Sequence, residues 1–368
     1  MNMLPAKIGF VLLSHSSSPI PSTRISALNM FPYLEAAGYL PVVVFQPDTS
    51  MEEPDLSGLS KKMAEQGIEI AYFQKVHGKS ALKEMGQLSK LGIKAVYGVC
   101  DLVKNDMAEA ADATIVVTEY LKRLYDPSLH EKIHVVHDGI ENPGIFKPFH
   151  ERKNGKLEAV LVTSSELHEI PIIGSPPKFM DVTIVGRYPT PPSLFGGMKQ
   201  AYWKIRSKAA ISEKISLAFK MMKRDFRTVN WDIATAYKVM AEADIGIIPV
   251  DMRHDPLPGL EISYWQVKSE NRLTMKMAMG LPVIASPVPS YEEVVVQGKN
   301  GFLASGRQDW MSCLEALRDP DLRLEMGRKA RDSVIRRYSM EEQAAKLIRI
   351  LDMLSGKRRE ADQKEAVT

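Results

Sequence analysis

Short apolar runs alternate along this chain with longer stretches of helical periodicity, and no other feature constrains the fold as tightly. A run of four to seven apolar residues, flanked by turn residues and followed by a helical stretch, reads as a strand buried on both faces of a parallel sheet. The first series places strands at 8–13, 41–46, 68–72, 93–98, 114–118 and 133–137, with helices at 24–37, 51–66 and 80–91. A second series places strands at 159–163, 182–185, 228–230, 245–250, 282–286 and 301–304, with helices at 199–224, 233–243, 271–279 and 310–317. Each series predicts a doubly wound α/β sheet. In such sheets ligands bind beyond the carboxyl ends of the strands.

Two sheets suit the length, since 368 residues exceed what one core sustains. The boundaries follow from the pattern: a first Rossmann-like domain over 1–142, a linker over 143–157 that the turn-residue cluster Asp138-Gly-Ile-Glu-Asn-Pro-Gly144 leads into, and a second Rossmann-like domain over 158–338. Ser339 and Glu342 then form a capping box, and Met340, Ala344, Leu347, Ile348, Leu351 and Leu354 recur at helical spacing, giving a final helix over 339–355. Residues 356–368 read as a frayed, disordered tail.

Lys and Arg total 48 against 45 Asp and Glu, too even a balance for a chain whose main partner is nucleic acid. Basic clusters at 204–208, 220–227 and 357–359 read as solvated helix faces, or as a peripheral contact with an anionic membrane surface. Two cysteines, Cys100 and Cys313, are too few for a disulfide framework or a metal cage. The chain starts without the pattern of a secretory signal and has no apolar run near the roughly 18 residues of a membrane span. The expectation is a cytoplasmic protein.

The chemistry-bearing residues are densest between Asp244 and Gly301. One buried strand ends in Asp251, and Lys268, Ser269, Asn271 and Arg272 open the following helix. The unpaired N–H groups and dipole of a helix start already favour an anion, and an ammonium adds full charge, so a pyrophosphate suits this place. The same residues also read as a plain Ser269 cap beside a solvated lysine. Ser290 is a natural cap for the next short helix, with Glu293 completing its box. In the first series, the polar loop after strand one carries His15 and Ser17 and leads to Arg24. His15 has the chemistry of a general base, and Asp101 is a second candidate at the end of its own strand. No dinucleotide glycine fingerprint, Walker loop, zincin helix or nucleophile elbow is present.

Ala278-Met-Gly-Leu-Pro-Val-Ile-Ala285, Tyr291-Glu-Glu-Val294, Gly298-Lys-Asn-Gly-Phe302 and Arg331-Asp-Ser-Val334 together resemble the family 4 type of GT-B glycosyltransferase. Lys268-Ser-Glu-Asn-Arg272 looks like a subgroup with a Lys-Ser-x-Asn-Lys/Arg element. The resemblance implies two Rossmann-like domains facing a cleft, with the last helix crossing back to the first domain. It implies transfer of a sugar from a nucleoside-diphosphate sugar, a co-substrate in place of any cofactor, to a glycan, glycolipid or other lipid-linked acceptor. Retention of configuration and independence of metal come with it. Donor contacts would then fall to Arg187, Asp251, Lys268, Ser269, Asn271, Arg272, Ser290 and Tyr291. Asp101 or His15 would serve catalysis at the acceptor, with Arg24 and Ser17 beside it. The sequence departs from the family at its pair of glutamates with seven residues between them, whose places hold Val267 and Met275. That departure leaves a second reading, a catalytically inactive GT-B protein that binds a sugar nucleotide or a partner enzyme, and a third, a sugar-nucleotide epimerase.

Overall fold

The structure is a computed structural model, and it describes residues 5–147, 156–163, 176–186, 226–253, 255–257 and 259–356. The helix expected at 199–224 and Arg187 lie outside these residues. The chain divides into two compact units. The first comprises Met1–Glu141, Pro256–Asn271 and Arg336–Thr368, and the second Asn142–Asp255 and Arg272–Ile335.

Six parallel strands make the sheet of the first unit: β1 (Ala6–Val11), β2 (Tyr39–Phe45), β3 (Ile68–Gln74), β4 (Lys94–Val99), β5 (Ala113–Val116) and β6 (Ile133–Val135). Their order, β2-β1-β3-β4-β5-β6, reverses at β1, which puts the switch point between β1 and β3. Successive side chains of each strand enter opposite cores. Phe10, Tyr72, Val96 and Ile115 pack on one face, whereas Val11, Phe73, Tyr97 and Val116 pack on the other.

Helices α1 (Pro21–Ser26) and α2 (Phe31–Ala36) replace the single helix expected over 24–37. Ala27 leaves the helical region at φ −128°, and Pro32 stands in the first turn of α2, where its missing N–H does no harm. Likewise α3 occupies only Leu59–Glu65, because Pro54 precedes it and Gly58 enters at φ +83°. The helix α4 (Lys79–Lys90) follows its expected bounds closely, and α5 (Asn105–Ala110) and α6 (Glu119–Arg123) complete the first series.

The second unit repeats the design with β7 (Leu157–Val162), β8 (Met180–Gly186), β9 (Arg227–Asn230), β10 (Ile245–Ile248), β11 (Val283–Ala285) and β12 (Phe302–Leu303). Its parallel order is β12-β11-β10-β7-β8-β9. The described helices are α7 (Ile233–Glu242), α8 (Asn271–Ala278), α9 (Pro289–Glu292), α10 (Arg307–Ala316) and α11 (Pro320–Val334). Leu161, Ile184, Ile247 and Ile284 meet Trp310 and Leu314 on one face, and Val160 and Val185 meet Tyr237 and Met240 on the other. Two doubly wound sheets are therefore present, as the alternation predicts.

The last helix, α12 (Met340–Ser355), packs in the first unit. Ser339 Oγ accepts from the Glu342 N–H at 3.1 Å, and Gly356 closes the helix at φ +67°. Met340, Leu347, Ile350 and Leu351 are buried against Phe10, Tyr39 and Tyr72, each apolar side chain contributing about 1.5–3 kcal/mol. Tyr39 donates its hydroxyl to Asp352 Oδ1 at 2.6 Å and so fixes the helix along β2. Gly139 permits the approach, since a Cβ there would stand 3.1 Å from the Met340 Cα. Residues 256–271 fall inside the second domain on the sequence reading, but they pack in the first unit, where Leu257 and Val267 join the core. Among the described residues, no helix is long and apolar enough to cross a membrane.

Candidate functional site

A buried polar arrangement of the first unit lies after β6. His137 and Asp138 leave the carboxyl end of this strand, where they meet Ser269 and Glu270. His137 Nδ1 stands 2.7 Å from Glu270 Oε1 and 2.9 Å from the Val117 carbonyl. Both neighbours are acceptors, so this nitrogen carries the proton. Gln343 Oε1 holds the His137 backbone N–H at 2.9 Å, and the Tyr338 ring packs against the imidazole at 4.8 Å. Glu270 is 1 % exposed, and no N–H or O–H is aligned on either of its oxygens. Beside it, Asp138 Oδ2 accepts the Ser269 hydroxyl at 2.8 Å. Burial pushes the Asp138 carboxyl up to about 6, with Glu270 adding to the rise and Ser269 opposing it.

Arg24 is committed to Glu141. Its Nε and Nη2 reach the two carboxylate oxygens at 2.7 and 2.9 Å, and Asn29 adds a third donor at 2.9 Å. This bidentate pair joins α1 to the segment after β6, which Arg24 thereby positions. His15 and Ser17 are together, with 2.8 Å between Nδ1 and Oγ, and Gln46 approaches His15 Nε2 at 3.2 Å. Asp101 is elsewhere in the unit: its carboxylate lies 2.8 Å from Lys75 Nζ. Burial pulls the Lys75 ammonium down, but Cys100, Asp101 and Glu52 outweigh it, and the net direction is upward. Lys75 holds φ +58°, the only described non-glycine residue at positive φ. Burial first, and Asp101 second, raise the Cys100 thiol.

In the second unit, β10 and β11 end side by side. Ser286 Oγ accepts the Val250 N–H at 2.9 Å and ties their loops together. Asp251 turns onto Arg253, with Nε at 2.8–2.9 Å from both oxygens. Ser290 and Tyr291 are buried, and Ser290 is not the cap that the sequence suggests. Val288 takes that place, because Pro289 supplies the first helical position ready-made. Nor does Ser269 show a side-chain cap: its hydroxyl goes to Asp138. Lys268 and Arg272 are partly exposed at the opening of α8.

Lys276, one turn into α8, is fully buried and donates to the Arg272 carbonyl at 3.0 Å. Burial, and then Arg272, lower its ammonium to about 7. Gly246 makes room for its stem, since a Cβ there would stand 2.7 Å from Lys276 Cδ. Among the described residues, no group of three His, Cys, Asp or Glu side chains is placed to hold a metal ion.

Asp138, Glu270, Glu141 and Lys276 are not among the site residues expected from the sequence. A signal was present for one of them: Glu270 is a lone carboxylate inside the cationic Lys268–Arg272 element. Its partner, His137, is 133 positions away, and periodicity cannot join the two.

Residues 231–349 match the family model described as glycosyl transferase-like. No curated protein matches the sequence. Among solved structures, the chain is similar to HepE of Anabaena in complex with UDP and glucose, at 15% identity and a TM-score of 0.64 over 95% of this chain and 100% of that one. A glycosyltransferase of Rickettsia africae gives 13% identity and a TM-score of 0.65 over 96% and 99%. Sucrose-phosphate synthase of Thermosynechococcus elongatus gives 14% identity and a TM-score of 0.63 over 96% and 100%. With two Rossmann-like parallel sheets, the protein has the GT-B fold, and its residues 231–349 are similar to the glycosyl transferase-like model.

Proposed function

We propose that this protein is a glycosyltransferase that moves a sugar from a nucleoside-diphosphate sugar to a carbohydrate or lipid-linked acceptor. One observation carries the reading: the glycosyl transferase-like match over 231–349 takes in the adjoining carboxyl ends of β10 and β11 and the whole of α8. Ligands of doubly wound sheets bind at such ends. The structure of HepE in complex with UDP and glucose makes UDP the first nucleotide to try.

In the proposed reaction the bond from the sugar's anomeric carbon to the diphosphate breaks, and a bond to an acceptor hydroxyl oxygen forms. The acceptor proton leaves with the diphosphate or passes to a base. Negative charge accumulates on the departing diphosphate, and fixed positive groups stabilise that charge without reorganising. Lys268, Arg272 and the first N–H groups of α8 are the proposed donors, with Asn271 and Ser290 orienting. Transfer with retention and without a metal ion is part of the proposal. Asp251 stands on the donor side of the proposal, with its carboxylate oriented by Arg253. On the acceptor side, His15 with Ser17 is the proposed polar pair, while Asp101 acts through Lys75.

Incubation with a panel of sugar nucleotides tests the proposal. Release of nucleoside diphosphate with sugar transfer or hydrolysis is the expected result. Binding without turnover would favour the inactive GT-B reading, which the Val267 and Met275 replacements keep in play. Interconversion of the sugars would favour an epimerase.

A further inference from the structure

A pocket of about 290 Å³ opens in the second unit at the opposite end of the sheet from the proposed donor site. Asp244 immediately precedes β10 and Pro282 immediately precedes β11, so the pocket lies at the amino ends of these strands. Among the described residues, Lys147, Arg323, Arg328 and Arg331 line it, together with the carboxylate of Asp244.

Neutral groups, not carboxylates, hold the arginines. Arg323 Nη1 donates to the Leu317 and Arg318 carbonyls at 2.8 and 2.9 Å. Arg331 donates to the Pro143 carbonyl at 2.8 Å and to the Ala278 carbonyl. Such contacts fix a guanidinium without neutralising it, and they leave unused several of its five N–H donors. Arg328 is exposed, and among the described residues none of the three arginines has a carboxylate within ion-pair distance. Asp244 is itself 2 % exposed and accepts the Glu158 N–H at 2.8 Å. Positive charge is therefore concentrated around a space with room for several waters, at about 30 Å³ each.

We propose that this pocket is a second binding site, which takes the phosphoryl group of a phosphorylated ligand. Fixed guanidinium forks match phosphate oxygens in shape as well as charge, which distinguishes such a site from a general affinity for anions. Phe146 is 63 % exposed at the pocket, with the Arg331 guanidinium 5.8 Å from its ring centre, so the group carrying the phosphate has an apolar surface to lie on. A small soluble phosphate ester and a phospholipid headgroup both present this chemistry.

The test uses the full chain, inorganic phosphate as probe, and chloride at matched ionic strength as control. Phosphate is expected to bind and to raise Tm beyond chloride. Arg328→Glu is expected to weaken phosphate binding about tenfold or more, the scale of one lost charged contact, while UDP binding is unchanged. Arg328→Lys should keep part of the affinity. Arg328 is exposed and caps nothing, so neither variant threatens folding. Co-sedimentation with phosphatidylglycerol vesicles but not phosphatidylcholine vesicles, lost in Arg328→Glu, assigns the phosphate to a lipid. Phosphate binding without co-sedimentation assigns it to a soluble ester. No difference between phosphate and chloride, an unaffected Arg328→Glu, or displacement of phosphate by UDP would each overturn the proposal.

Discussion

The imidazole of His137 and the carboxylate of Glu270 meet at 2.7 Å, in surroundings that leave them 6 % and 1 % exposed. One follows the last strand of the first sheet, and the other belongs to a segment that returns from far along the chain. The contact pins residues 256–271 to the first unit, next to the element that opens α8.

Glu270→Ala removes the charged partner of this buried pair and leaves His137 Nδ1 with the Val117 carbonyl alone. A loss of about 3–5 kcal/mol in unfolding free energy is expected, read from the urea midpoint of the first transition. Glu270→Gln, which keeps the shape and one acceptor, should lose less. Equal, negligible losses for both would show that the pair does not hold the segment.

Asp138 makes stability depend on pH in a definite sense. Its folded value is raised to about 6 from an ordinary 3.8, so the folded state binds the proton more tightly. The destabilising contribution is absent below pH 3.8, grows as pH rises, and is complete above pH 6, where it reaches about 3 kcal/mol. Asp138→Asn should therefore be more stable than the parent at pH 7 and equal to it near pH 3.5. Denaturant titrations across this window check the sign, and a parent that gains stability between pH 4 and 6 relative to the variant would refute it.

Lys276 acts in the other direction. Its folded value falls to about 7 from 10.5, so the unfolded chain holds the proton more tightly between these values. Stability should rise from pH 7 to 10.5, by as much as about 5 kcal/mol from this group. Lys276→Met should be more stable than the parent at pH 7 and lose this upward slope. Thermal melts from pH 6.5 to 9.5 check it.

Gly327 and Gly280 set the contact between α11 and the turn after α8. A Cβ on Gly327 would stand 2.1 Å from the Gly280 carbonyl oxygen, which is backbone and cannot swing aside. Gly327→Ala should lower stability by about 1–3 kcal/mol or more. Gly86→Ala, where a Cβ meets nothing within 4 Å, is the control and should be neutral or stabilising.

Much of the architecture was legible because it is periodic. Strands such as Ile68–Gln74 and helices such as Lys79–Lys90 and Met340–Ser355 announce themselves through apolar spacing and caps. Helix ends were less legible where one backbone angle decides: nothing in the spacing around Ala27 shows that it leaves the helical region. At the site, the sequence located Lys268–Arg272 and left Ser269 as either a donor contact or a cap. Its hydroxyl instead takes a carboxylate 131 positions away, a choice that only tertiary packing makes. Arg24 was visible as an early helical arginine, whereas its commitment to Glu141 was not.

The central claim is that a cationic helix opening captures a nucleoside diphosphate, and calorimetric titration with UDP, run on the parent, Lys268→Ala and Arg272→Ala, tests it most directly. Saturable binding by the parent and a loss of about 1–3 kcal/mol in each variant, the scale of a charged hydrogen bond, are expected. Affinity unchanged by either substitution, or no binding of any nucleoside diphosphate by the parent, would contradict it.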